Sequence, residues 1–258
     1  MIQLTARPDK PYRLRSRTVA GKKASLTRKH RNGTPFTQAD FDRNYFSHLD
    51  IRRPLWVWQE KKCCYCERRR DLKREPDVEH FRPKAEVTGQ AGPGYWWVTY
   101  EWSNLFFSCR TCNQGHKKNE FPLEMGGVRA QPGDFAFLNE RPTLADVGIE
   151  NPEPLIGYVW VTEPEPLAKP VGLDAAGRGA RIIRILGLDR DDLNQERGAL
   201  IDSLEGWVEA YHQALSNGPV AQQRAIAQIH RNTARGQTFL GFRRFFFRQW
   251  YLEQYLAP

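Results

Sequence analysis

The chain has 258 residues, 40% hydrophobic and 27% charged, the balance of a globular protein with one substantial core or two small ones, which excludes wholesale disorder. No run of about 18 uncharged apolar residues occurs, which excludes a membrane-spanning helix. The opening Met1–Arg7 also lacks the apolar stretch of a secretory leader, so a cytoplasmic location is expected. Net charge is +9, and residues 1–35 hold ten Lys/Arg against one acid, Asp9. Taking these from the 39 Lys/Arg and 30 Asp/Glu leaves 29 of each, so the whole excess sits at the N-terminus. Clustered Lys/Arg neutralise phosphates and release counterions, which points to a nucleic-acid partner; a solvated tail is the plain alternative.

In chain order, residues 1–35 have few apolar positions and no period, and read as an extended or partly ordered arm. Thr37-Gln38-Ala39-Asp40 has the form of an N-terminal cap, with Phe41, Tyr45 and Phe46 following at helical spacing. A second helix is expected over about 54–61, with Pro54 in its first turn, until Cys63-Cys64-Tyr65-Cys66 interrupts it. Residues 77–81 read as a short strand ended by Pro83, with Val78 and His80 on one side and Glu79 on the other. Residues 89–94 form a flexible glycine-rich loop, and Tyr95–Tyr100 is too aromatic to be exposed throughout. Past Cys109-Arg110-Thr111-Cys112, the polar run 113–120 is expected to open a helix. Residues 126–179 are rich in Pro and Gly, with one strand at 157–161. From 181 onward apolar positions recur at three- and four-residue steps, over 181–186, 191–216 and 220–235. Phe239–Leu256 then reads as a final aromatic helix that closes a core.

C-x-x-C spacing lets two thiolates reach one tetrahedral ion, so two such pairs specify a closed four-thiolate zinc site on Cys63, Cys66, Cys109 and Cys112. Cys64 is left as a packing residue. Between and beside the pairs stand Glu79, His80, Asn104 and Asn113. Hydrolysis of a phosphodiester needs a base near neutral pH, which an imidazole supplies. It also needs a hard cation against the developing negative charge, and Mg²⁺ is content with one or two protein oxygens plus water. A helix after Cys112 would bring backbone N–H groups and Lys117 and Lys118 toward phosphates.

In this combination the residues resemble the HNH endonucleases, whose active site is a ββα-metal finger. The pattern is carried by Cys63-Cys64-Tyr65-Cys66, Val78-Glu79-His80-Phe81-Arg82-Pro83-Lys84, Trp102-Ser103-Asn104-Leu105 and Cys109-Arg110-Thr111-Cys112-Asn113, over roughly 55–123. The resemblance implies that His80 is the general base and that Asn104 braces its loop. It implies a catalytic Mg²⁺ or Mn²⁺ on Glu79 and Asn113, with His116, three residues on, as the other candidate ligand. Zinc on the four cysteines would be structural. Glu79 stands where Asp is usual, and Asn113 where His is usual. Together with Lys117–Leu123 and, more weakly, Leu186–Arg197, the motifs are similar to the PtuB-type (Septu) and retron-associated HNH proteins of anti-phage defence. That likeness implies a bacterial protein acting beside an ATPase partner of the PtuA kind.

The expected fold is α+β: a ββα-metal finger with a structural zinc knuckle embedded in a mostly α-helical protein. Its parts would be a basic arm (1–35), an HNH nuclease domain (36–125), a Pro/Gly-rich connection (126–180) and a helical C-terminal region (181–258). The expected activity is phosphodiester hydrolysis, on DNA in preference to RNA, with Arg82, Lys84, Arg110, Lys117 and Lys118 against the nucleic acid and no membrane partner. The alternatives are an RNA- or tRNA-cleaving toxin of the same fold, and a zinc-knuckle protein that binds without catalysis.

Overall fold

A computed structural model describes residues 1–74 and 77–258. They group into two units, one of Leu4–Cys64 and Arg69–Glu150, the other of Met1–Gln3, Tyr65–Arg68 and Asn151–Pro258.

In the first unit, the N-terminal segment is not extended: it forms α1 (Tyr12–Arg15) and α2 (Arg17–Arg31). Ser16 caps α2 by accepting from the Val19 N–H, and Arg28, Lys29, His30 and Arg31 in the last turn suit the negative end of the helix dipole. Only Val19 and Leu26 are buried along it, seven residues or two turns apart, too thin a stripe to show as a period. Ion pairs supply the rest of the docking. Lys10 and Lys23 meet Glu101, Lys22 meets Asp42 at 2.6 Å, and Lys29 meets Asp40 at 2.6 Å. Arg7 goes deeper. Its guanidinium lies over the Trp58 and Phe106 rings and donates to the carbonyls of Trp102 and Leu105, and burial lowers its pKa to about 10.

Thr37 and Asp40 do form a capping box, but around a single 3₁₀ turn, and the helix after it, α3 (Arg43–Phe46), is four residues long. Helix α4 (Leu49–Trp58) starts five residues earlier than expected, capped by His48, so Pro54 lies inside it rather than in its first turn. Strand β1 (Val78–His80) pairs antiparallel with β2 (Leu105–Phe107) in the register Val78–Phe107, Glu79–Phe106, His80–Leu105. All six residues are buried, Glu79 included, so both faces of the strand pair are covered rather than one. A π-helical segment, Thr111–Lys117, begins inside the second cysteine pair. Of the aromatic run, Tyr95, Trp96, Val98 and Tyr100 are buried.

In the second unit β3 (Ile156–Val161) pairs antiparallel with β4 (Leu167–Gly172), a strand hidden in the sequence by its own Pro170 and Gly172. Helix α5 (Arg178–Leu186) begins with Asp174 accepting from the Arg178 and Gly179 N–H groups and ends at Gly187, whose φ of 57° suits a glycine C-cap. Helices α6 (Asp191–Gly198), α7 (Ile201–Ser216) and α8 (Pro219–Asn232) follow. The last helix, α9 (Leu240–Gln249), is shorter than expected; it presents Phe242 and Phe246 to Tyr158 and Trp160 of β3. Among the described residues no helix is long and apolar enough to cross a membrane.

The glycine-rich loop after β1 is pinned at its end by close backbone approach. Gly94 donates to the Ala85 carbonyl, Tyr95 donates to the Pro83 carbonyl, and a Cβ on Gly94 would lie 2.4 Å from that carbonyl oxygen. Gly94→Ala is therefore expected to cost about 1–3 kcal/mol. By contrast Gly206→Ala, in the open middle of α7 with nothing within 4 Å, should stabilise by about 0.5–1 kcal/mol. Urea unfolding of the two variants beside the parent checks both signs.

Candidate active site

The four cysteines of the two C-x-x-C pairs come together. All are buried, and the sulfurs of Cys63, Cys66, Cys109 and Cys112 lie within 4.8 Å of one another. Tetrahedral zinc–thiolate bonds of about 2.3 Å place sulfurs roughly 3.8 Å apart, so the set fits a metal ion such as zinc. Cys64 points elsewhere in function: it is buried, and loss of solvation pushes its thiol well up, which keeps it protonated as a packing group.

His80 sits at the end of β1, 6% exposed, with Nε2 3.0 Å from the Thr99 carbonyl and its ring edge-on to Phe46. A carbonyl only accepts, so Nε2 carries the hydrogen and Nδ1 keeps the basic lone pair. Burial first, then the charges of Lys84 and Lys117, hold the imidazole well below its usual pKa, so it is neutral at neutral pH. Asn104 clamps the chain just past it. Its Oδ1 accepts from the Arg82 N–H at 2.8 Å, its Nδ2 donates to the Arg82 carbonyl at 3.1 Å, and its own carbonyl accepts from Phe81 N–H at 2.9 Å.

Glu79, His80 and Asn113 line one cavity of about 440 Å³, together with Lys84 and Lys118. The carboxylate and amide oxygens are hard donors of the kind Mg²⁺ or Mn²⁺ takes, and the cavity has room for the waters such an ion retains. His116, half-buried, does not line it.

Two of the five expected phosphate contacts are placed otherwise. Lys117 is fully buried: its Nζ is 2.6 Å from Glu79 Oε1 and 3.1 Å from the His80 carbonyl, so it ties the π-helical segment to β1. Arg82 turns away to Glu140 at 2.6 Å and lies over the Phe137 ring. Both placements have one cause. A cation beside a buried carboxylate relieves a desolvation penalty of several kcal/mol, and neither acid can be left alone inside. Lys84 does line the cavity, where burial pulls its ammonium down and Glu79 opposes that pull. Lys118 lines it too, and Arg110 is exposed, bonded to Gln114 one turn on.

The sequence does not announce Arg43 and Phe46, brought to the cavity by α3 from 34 or more residues upstream of His80, nor Thr99, which acts through its carbonyl. A backbone acceptor has no residue-type signature, and α3 has no motif. A larger cavity of about 920 Å³ in the same unit is lined by Tyr12, Leu49, Val57 and Trp58 among others and holds none of these chemistry-bearing groups.

Comparison with known proteins gives one similarity of note. Over 154 residues the chain is 30% identical to the Septu protein PtuB of Bacillus mycoides (strain KBAB4), covering 56% of this chain and 48% of that protein. The chain thus spans about half the length of the curated relative it matches. No protein-family model and no solved structure matches it.

Two outcomes are expected. The protein should purify with zinc in equimolar amount by elemental mass spectrometry, and Cys112→Ser should lose the metal together with cooperative thermal unfolding. Lys117→Met, which removes the cation 2.6 Å from the buried Glu79 carboxylate, should cost about 3–5 kcal/mol in urea unfolding without added divalent cation. Adding Glu79→Gln to that variant should recover most of the loss.

Proposed function

We propose that this chain is a metal-dependent endonuclease of the HNH type, hydrolysing phosphodiester bonds with DNA as the favoured substrate. The observation that carries the reading is the buried imidazole of His80, fixed through Thr99 and sharing one cavity with Glu79 and Asn113. The order β1, β2 and then the π-helical segment Thr111–Lys117, with the cysteine cluster at its start, supports a ββα-metal finger.

In this reading zinc on the four thiolates is structural, holding the two knuckles in register. Glu79 and Asn113 would hold a hard divalent ion, which when bound offsets negative charge on the phosphorus centre and the leaving oxygen. His80 takes a proton from the attacking water at Nδ1, while the Thr99 carbonyl keeps Nε2–H in place so that the lone pair is never lost to the wrong tautomer. Asn104 fixes the backbone of Arg82 and so the aim of the ring. Lys84 and Lys118, with Arg43, set positive charge around the cavity where a phosphate would lie.

The defence role rests on the relative named Septu protein PtuB and on the motifs shared with that group. In this reading the chain acts in an anti-phage system, in bacterial cytoplasm, beside an ATPase partner of the PtuA kind.

The test is a cleavage assay on plasmid and on total RNA in parallel, with Mg²⁺ or Mn²⁺ against an EDTA control. DNA cutting that needs the metal is expected, and His80→Ala should slow it by about 10²–10⁴-fold with zinc content unchanged. Cutting by His80→Ala at the parental rate would overturn the assignment. Cutting of RNA alone would move the substrate, and binding without cutting would leave a zinc-knuckle binding protein.

A further inference from the structure

A second cavity in the first unit, about 500 Å³, has walls of a different kind. Trp96, Trp97 and Phe135 supply aromatic surface, Arg31 of α2 supplies a cation, and His30 and the Glu101-paired Lys23 complete that side; among the described residues no Asp or Glu lines it. The aromatics are not all core. Phe135 is 57% exposed, an expensive position for a phenyl ring, whereas Trp96 at 4% closes the inner wall. His30 stands with its ring 4.9 Å from that of Trp96, so this exposed histidine is part of the wall rather than a solvated one. The indole N–H of Trp96 is a buried donor with no acceptor among the described residues. Arg28 and Arg31 lie exposed on the last turn of α2 beside it.

We infer that this cavity takes an unpaired nucleobase of a single strand. Flat π surface recognises the face of a base. Cations on an adjoining helix meet the flanking phosphates. A duplex offers no free base face, so the cavity discriminates single strand from double. Its floor also reaches the candidate catalytic centre through one short element. The 3₁₀ turn Trp96–Val98 leads straight into Thr99, whose hydroxyl donates to the Trp96 carbonyl at 2.7 Å and whose own carbonyl holds His80 Nε2. A base seated on Trp97 and Phe135 is therefore registered to the imidazole through the three residues of backbone from Trp97 to Thr99. The inference rests on the reading of this unit as one that handles nucleic acid.

The experiment is equilibrium binding of the full chain by fluorescence anisotropy in metal-free buffer without chelator, so that nothing is cut and the cysteine site keeps its ion. The probes are a labelled oligothymidine, the same sugar–phosphate chain without bases, and a duplex of equal length. Oligothymidine should bind about tenfold more tightly than the abasic strand, and Phe135→Ala should remove that difference while changing duplex binding by less than about twofold. Phe135 is exposed, so the variant should fold. Trp97→Phe, which keeps a ring, should retain most of the preference, and Arg31→Ala should weaken every probe and lower the salt slope by about one. Equal binding of oligothymidine and abasic strand, or an unchanged preference in Phe135→Ala, would overturn the base site alone. No binding of any probe would overturn the nucleic-acid reading of the unit as a whole.

Discussion

A pair of three-residue strands cannot hold its own register, and the surroundings of β1 and β2 answer that constraint. The pairing contributes only a few hydrogen bonds, each worth about 1 kcal/mol net, so a slip by one residue would cost little by itself. Side chains fix it instead. Gln59, 1% exposed, spans the end of β2 by accepting from the Phe107 N–H and donating to the Phe107 carbonyl, which also accepts from Cys64 N–H. At the other end Asn104 clamps Phe81 and Arg82, and Lys117 reaches the His80 carbonyl. The Glu79–His80 dipeptide thus stands between two sets of buried polar clamps. The cysteine cluster anchors the segments from which both sets start.

Burial of charge is the second organising fact, and magnitudes decide its arrangement. An unpaired carboxylate as deep as Glu79 would carry a penalty of several kcal/mol, larger than any surface ion pair returns. A cation nearby is obligatory: Lys117 makes the direct contact, and Lys84 feels the same carboxylate. The same logic assigns Arg82 to Glu140, which Tyr95 also supports through its hydroxyl. His80 escapes the penalty by shedding its charge altogether. A buried imidazole among Lys84 and Lys117 is neutral, which is the state a proton acceptor needs, so the environment that excludes water also sets the protonation.

How much of this was legible follows from the range over which each signal acts. Thiolate spacing is a local property, so Cys63, Cys66, Cys109 and Cys112 declare themselves, and Glu79, His80, Asn104 and Asn113 are conspicuous for standing among them. The strand at 157–161 stands out as an apolar run in a Pro/Gly-rich stretch and the helices from 181 onward follow from their period, whereas β4 is masked by Pro170 and Gly172. Lys117 misleads because a lysine in a polar run reads as solvated; only a partner 38 residues away makes it a core residue. Helix α2 misleads for the complementary reason, since two apolar contacts and several ion pairs hold it where a sequence pattern looks for a stripe. Thr99 is invisible in principle, because its contribution is a carbonyl that every residue has.

The N-terminal charge shows why a count of residues and a contact are different kinds of knowledge. The excess of +9 is real, yet Lys10, Lys22, Lys23 and Lys29 face Asp40, Asp42 and Glu101, and Arg7 is a buried anchor. These cations dock the helices that carry them rather than wait for phosphate. Pairing does not erase the excess; it relocates it, because each acid engaged here is removed from the balance elsewhere on the unit. The field that results acts over about 8–10 Å at ordinary salt, enough to draw a polyanion in but not to orient it. Orientation has to come from shaped places such as the cavity around His80. In the nuclease reading proposed above, the basic arm is thus better understood as a scaffold whose surplus charge would raise the rate of encounter with a polyanion, while the buried clamps of the β1–β2 pair hold the Glu79–His80 dipeptide that such a strand would meet.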